Sequence, residues 1–134
     1  MRKLVGVLAL LCLAGCSFFR TLGGAPPAYV VFFTDKNVTL TADARTIVDN
    51  AANAAKKNPI EFVQLTGPST RAATGYDPTI AEARMRIVEQ TLISDGVPAE
   101  RQFRTEPTPD TLKNDKSGGQ RVEIRIVDTK PASS

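Results

Sequence analysis

The 134-residue chain has no histidine, no tryptophan and only two cysteines. The lack of histidine excludes Ser-His-Asp triads, Cys-His nucleophile pairs and histidine zinc sites. Gly23-Gly24 and Gly118-Gly119 are isolated pairs and make no glycine-rich phosphate loop. An enzyme would have to rely on carboxylates alone, and Asp77 and Glu82 have no second acid clearly placed opposite them. We therefore expect a protein that is not an enzyme and has no cofactor or metal.

The chain also lacks an apolar run long enough to span a bilayer, which takes about 20 residues. Its apolar run from Leu4 to Leu13 follows Arg2-Lys3 and leads into small residues, a pattern typical of a secretory signal. Residues 1–15 are therefore predicted to be a signal peptide that is removed together with Cys12. The remaining 119 residues have 15 basic and 14 acidic side chains, a balance that gives no reason to expect nucleic acid as a partner.

The signal ends in Leu-Ala-Gly-Cys at residues 13–16, which resembles the bacterial lipoprotein box. That resemblance implies that Cys16 becomes the first mature residue and carries acyl chains, palmitate among them, in the outer membrane. The alternative is an ordinary signal with an incidental cysteine. Residues 17–28 are predicted to be a linker, because they combine Gly23-Gly24 with Pro26-Pro27. Extended at ~3.4 Å per residue, the linker reaches about 40 Å, so the domain would stay close to the membrane.

Residues 29–128 are predicted to form one α+β domain, followed by a disordered tail at 129–134. Alternating and helical apolar patterns predict the order β-α-β-α-β-β, with two helices packed on one face of a small mixed sheet. Thr41 is suited to cap the first helix, and Gly96 to end the second. The predicted elements are Tyr29–Phe33, Thr41–Lys57, Ile60–Leu65, Thr79–Asp95, Gln102–Glu106 and Arg121–Val127.

One charged residue breaks the apolar pattern of the second helix. At 100° per residue, Arg84 projects from the inward stripe between Ile80 and Val88. A guanidinium on an apolar face needs partners, because its charge is costly to bury unpaired. Two interpretations stay open: Arg84 is satisfied by an internal acid or loop carbonyls, or it lines a pocket and binds a ligand carboxylate.

Four motifs in a fixed order give the domain a family resemblance. The span Tyr29–Val127, which is nearly the whole mature domain, resembles the OmpA-like C-terminal domain of peptidoglycan-associated lipoproteins. The fold expected from this resemblance is the OmpA-like α+β sandwich. The motifs that carry it are Leu40–Arg45, Tyr76–Val88, Gly96–Arg101 and Gly119–Ile124.

The resemblance implies a binding site for peptidoglycan, in which an arginine matched by Arg84 grips a carboxylate of the diamino acid of the peptide stem, usually diaminopimelate. Other candidate ligand-binding residues are Thr70, Tyr76, Asp77 and Arg121. Arg121 is either a pocket residue or the partner in a salt bridge at the strand edge.

The chain departs from the family at the loop that supplies an aspartate to the ligand amine. The family has Gly-His-Thr-Asp, whereas this chain has Gly67-Pro68-Ser69-Thr70, which is neutral. Asp77, where the family has asparagine, either supplies the lost charge or simply caps the second helix. The sequence therefore favours an outer-membrane lipoprotein that tethers the membrane to peptidoglycan. The alternative is a degenerate OmpA-like scaffold that binds another envelope protein.

Overall fold

The computed structural model describes residues 26–34, 36–67, 77–106 and 120–132. Over these residues the chain follows the predicted order of strands and helices. The predicted signal peptide, Cys16 and most of the linker lie outside the described residues. The strands are β1 (Ala28–Phe32), β2 (Phe62–Thr66), β3 (Gln102–Thr105) and β4 (Arg121–Val127), and the helices are α1 (Ala42–Lys57) and α2 (Pro78–Ser94).

The four strands form one mixed sheet in the order β1-β4-β2-β3. Strand β4 is antiparallel to β1 and β2, whereas β2 and β3 are parallel. Alternate residues of the strands are fully buried and share one apolar cluster with residues of both helices. Both helices therefore cover the same face of the sheet, as predicted. The strand residues of that cluster are Val31, Val63, Leu65, Val122 and Ile124.

Helix α1 begins and ends where its sequence predicts. The Thr41 side chain accepts a hydrogen bond from the Ala44 N–H, which satisfies a donor in the first turn. Lys56 and Lys57 lie in the last turn, where the helix dipole favours cations. The buried face is made mostly of alanines, so the helix backbone lies close to the sheet. Its buried residues are Ala44, Val48, Ala51, Ala52 and Ala55.

Helix α2 ends at the predicted glycine. Gly96 has a φ of 97°, a left-handed conformation that other residues rarely adopt. Its N–H donates to the carbonyl of Ile93, and the next N–H, of Val97, donates to Leu92. These bonds satisfy carbonyls that the helix end leaves open.

Three strands differ from their predicted boundaries: β1 and β2 differ at both ends, and β3 ends at Thr105 and not at Glu106. Strand β1 begins at Ala28, inside the predicted linker, because Ala28 pairs with Arg125 across the sheet. Strand β2 begins at Phe62 and not at Ile60. The Glu61 N–H donates to the Asn58 carbonyl, so residues 58–61 form a turn, and Ile60 is 88% exposed within it.

The chain connections gather at two ends of the sheet. The end at which β1 begins, here called the linker end, holds Pro26, the turn 58–61, the short 3-10 helix Ala99–Arg101 and the residues after Val127. The opposite end holds the connection from β1 to α1 and the beginning of α2.

Arg101 joins two elements at the linker end. Its guanidinium donates to the carbonyls of Ala55, Asn58 and Glu61 at 2.8–2.9 Å. These carbonyls belong to the end of α1 and the turn that follows, so a single side chain closes the helix C-terminus.

We expect Arg101→Ala to lower the free energy of unfolding by about 2–4 kcal/mol, because several partly buried carbonyls lose a charged donor. Chemical denaturation measures the change. Arg86→Ala is the matched control, since Arg86 is 63% exposed and pairs only with Glu82 among the interactions described. The control should change stability by about 0.5 kcal/mol or less. Equal losses in the two variants would contradict the capping role.

Arg45 connects the two helices through a pair of carboxylates. It contacts Asp49 at 2.7 Å within α1 and Asp95, at the end of α2, at 2.6 Å. Burial raises the pKa of Asp95, and a hydrogen bond with Asp49 raises it further. Folding therefore favours the protonated carboxyl of Asp95, so its ionised form costs stability above the folded-state pKa and this cost disappears as the pH falls through it.

Asp95→Asn removes this titration. We expect wild type to gain stability relative to Asp95→Asn when the pH is lowered from neutral to about pH 4. Denaturation curves of both proteins at the two pH values give the comparison. A relative loss for wild type on acidification would show that Arg45 outweighs the burial of the carboxyl.

Candidate functional site

Arg84 is a buried cation at the end of the domain opposite the linker. Its side chain leaves α2 toward the core, as the helical spacing predicts, and the residue is only 2% exposed. Its Nε donates to the Asn37 carbonyl at 2.9 Å, and Cζ lies 5.1 Å from the centre of the Phe33 ring. The loop carbonyl that the structural interpretation predicted is therefore present.

These contacts fix the direction of the guanidinium. Burial lowers the pKa of Arg84, but arginine stays protonated at physiological pH. The Phe33 ring covers its plane, an arrangement worth about 0.5–2 kcal/mol. The cation thus joins α2 to the β1–α1 connection and is oriented before any ligand arrives.

Asp77 is the N-cap of α2. Its Oδ1 accepts hydrogen bonds from the N–H groups of Thr79 at 2.8 Å and Ile80 at 3.4 Å. The observed contacts of Asp77 are therefore those of a helix cap, which is one of its two predicted roles. Asp77 precedes Arg84 by two helical turns, about 10 Å along the axis, and both lie on roughly the same face. A molecule that touches both groups must be extended over that distance.

Arg121 is not brought together with Arg84. Strand alternation places Arg121 on the face opposite its buried neighbour Val122, whereas Arg84 packs against the helix-covered face through Phe33. Arg121 forms an ion pair with Glu123 at 3.1 Å. Arg121 thus has the partner that its predicted salt bridge requires.

The remaining predicted site residues are not placed. Thr70 and Tyr76 lie outside the described residues, as does most of the loop that begins at Gly67. Gly67 itself is described, and a Cβ there would lie 2.9 Å from the Met85 sulfur. A larger residue at position 67 would therefore require the Met85 side chain to shift.

A polar groove of about 280 Å³ lies between α2 and the end of β3. Sequence reasoning did not predict the ion pairs at its wall. Arg104 contacts Glu82 and Glu89 of α2, each at 2.6 Å. The hydrogen bond from Arg104 is the main cause that lowers the pKa of Glu82. Arg104 lies on a different element from Glu82 and Glu89, 22 and 15 residues further along the chain, so neither helical nor strand spacing reveals this cluster.

Two classes of site receive no support in the described part of the chain. No three acidic or cysteine side chains there are grouped so that they could hold a metal ion. No helix among the described residues has the length and apolar character needed to cross a bilayer.

Comparison with known proteins identifies the fold. No protein-family model and no curated protein matches the chain. The OmpA-like domain of FopA1 from Francisella tularensis subsp. tularensis SCHU S4 is 21% identical, with 75% of this chain and 74% of that chain covered and a TM-score of 0.57. The peptidoglycan-associated lipoprotein from Burkholderia pseudomallei is 18% identical, with 73% of this chain and 87% of that chain covered and a TM-score of 0.52. The C-terminal domain of Helicobacter pylori MotB is 16% identical, with 76% of this chain and 85% of that chain covered and a TM-score of 0.55. The chain therefore has the OmpA-like fold, as its motifs predicted.

The contact between Arg84 and Phe33 can be measured as a coupling energy. We expect Phe33→Leu to lower the free energy of unfolding by about 1–2 kcal/mol, because the ring face under the guanidinium is lost. In a double-mutant cycle with Arg84→Met, the coupling should be about 0.5–2 kcal/mol.

Phe32→Leu is the matched control for this cycle. Phe32 is the preceding residue, is 51% exposed and lies on the opposite face of β1. Its coupling to Arg84→Met should be close to zero. A similar coupling for both phenylalanines would mean that the ring does not hold the guanidinium.

Proposed function

We propose that this chain is an outer-membrane lipoprotein whose domain binds the peptide stem of peptidoglycan without a covalent bond. The observation that carries the proposal is the buried, oriented guanidinium of Arg84. It stands where the family resemblance puts the arginine that grips the diamino acid. Similarity of fold to a solved peptidoglycan-associated lipoprotein supports the same role.

The chemistry of Arg84 suits a carboxylate ligand. Guanidinium presents several N–H donors in a planar fork that matches the two oxygens of a carboxylate. Orientation by Asn37 and Phe33 reduces the conformational entropy lost when a ligand binds. Low water content around a buried cation also strengthens its attraction for an anion.

Asp77 is the acidic group that we assign to the ligand amine. The described end of the 67–70 loop offers a glycine, and its remaining residues are neutral. Capping uses Oδ1 of Asp77, and a carboxylate has acceptor capacity for further donors. Asp77 and Arg84 are about 10 Å apart along the axis of α2, so a ligand that contacts both residues must be extended.

The other end of the tether is Cys16. One acyl chain gives only marginal membrane binding, at ~0.8 kcal/mol per buried CH₂, but several chains anchor a protein stably. The lipoprotein box implies three chains. With no catalytic group assigned, we propose a role in attachment and not in catalysis.

Binding to purified sacculi with diaminopimelate stems tests the wall end. We expect wild type to sediment with sacculi and free stem peptide to compete. Arg84→Met should bind at least about tenfold more weakly, because it loses a charge-assisted pair worth about 1.5–3 kcal/mol. Circular dichroism confirms that the variant is folded.

Arg86→Ala is the matched control, because Arg86 is two residues away on the exposed side of α2. It should bind like wild type. Equal binding by wild type and Arg84→Met, or background binding by both, would contradict the proposal. In-cell crosslinking to one envelope protein would then favour the scaffold alternative.

A further inference from the structure

We propose that the linker end of the domain rests on the bilayer surface through an apolar patch, so that Arg84 points away from the membrane. The patch consists of Ile60, Phe62, Phe103 and Val127. This inference rests on the lipid anchor in the proposed function but concerns a different surface from the ligand site.

The patch is apolar and accessible. Ile60 is 88% exposed in the turn before β2, the highest value among the large hydrophobic residues described. Phe62 and Phe103 meet edge to face, with ring centres 6.5 Å apart, on the sheet face opposite the one that α1 and α2 cover. Val127 pairs with Phe62 in the next strand and is partly exposed on the same face. An exposed apolar group of this kind marks an interaction surface.

The path of the chain selects the membrane as the occupant. Arg125 donates to the Pro26 carbonyl at 2.5 Å, which holds the start of the domain beside β4. Pro26 and Ile60 thus belong to the same end of a sheet whose strands lie ~4.8 Å apart. Nine residues lie between Cys16 and Pro26, and a random-coil chain of that length spans roughly 17 Å on average.

A tether this short keeps the patch at a high effective concentration near the bilayer. One isoleucine and its neighbours would not recruit a free protein, but they suffice to orient an anchored one. The exposed charges at the linker end nearly balance, with Lys56, Lys57 and Lys130 against Glu100 and Asp128. We therefore expect contact through apolar insertion, with little dependence on salt or on anionic lipid.

The full lipidated protein in vesicles tests the orientation. An environment-sensitive fluorophore is attached to Ala99→Cys at the linker end or to Ala42→Cys at the opposite end, both exposed alanines. Vesicles contain phosphatidylcholine and brominated phosphatidylcholine as quencher, with and without phosphatidylglycerol. We expect quenching at position 99 and not at position 42.

Ile60→Ser in the Ala99→Cys protein tests the patch itself. It should reduce the ratio of membrane-contacting to free orientations about tenfold, the effect of withdrawing one large aliphatic side chain. Equal quenching at positions 42 and 99, or quenching at position 99 unchanged by Ile60→Ser, would overturn the proposal.

The outcomes separate this inference from the function on which it rests. Loss of orientation with intact sacculus binding overturns only the membrane contact. A mass spectrum without acyl chains on Cys16 overturns the anchor and the membrane contact together, whatever the domain binds.

Discussion

The need to satisfy one buried cation shapes the end of the domain where ligand binding is proposed. Arg84 leaves α2 in the middle of an apolar face, so the fold must bring polar atoms to it. The Asn37 carbonyl and the Phe33 ring provide those contacts, and both come from the segment that joins β1 to α1. Residues distant in sequence are therefore held in one arrangement by a charge that no apolar side chain could replace in that role.

Arg101 shows that burial of an arginine does not by itself indicate a ligand site. Its donors close the end of α1 by binding main-chain carbonyls, which is a sufficient structural reason for its presence. Arg84 also binds a main-chain carbonyl, so a contact of this kind does not by itself separate the two arginines. What separates them is position. Arg84 lies at the end of the domain that carries Asp77 and the connection after Gly67, whereas Arg101 lies at the linker end.

Local patterns predicted most of the fold, and they fell short where contacts are distant in sequence. The alternation of Val122, Ile124 and Ile126 predicted β4 to the residue, and helical spacing predicted the burial of Arg84. The same alternation places Arg121 on the sheet face opposite α1 and α2, which the family motif alone does not reveal. Ile60 was assigned to a strand because it is apolar, but the turn after Asn58 delays pairing. Such a turn depends on Arg101 and could not be predicted from neighbouring residues.

The proposed function gives Asp77 a binding role in addition to its observed role as the N-cap of α2. Its two cap hydrogen bonds place the Asp77 carboxylate at the N-terminal end of α2, where the helix dipole favours negative charge. The cap also fixes its position relative to Arg84, because the helix between them is rigid. An acidic group on the cap therefore has a defined position relative to Arg84, and the proposed ligand must be extended enough to contact both residues.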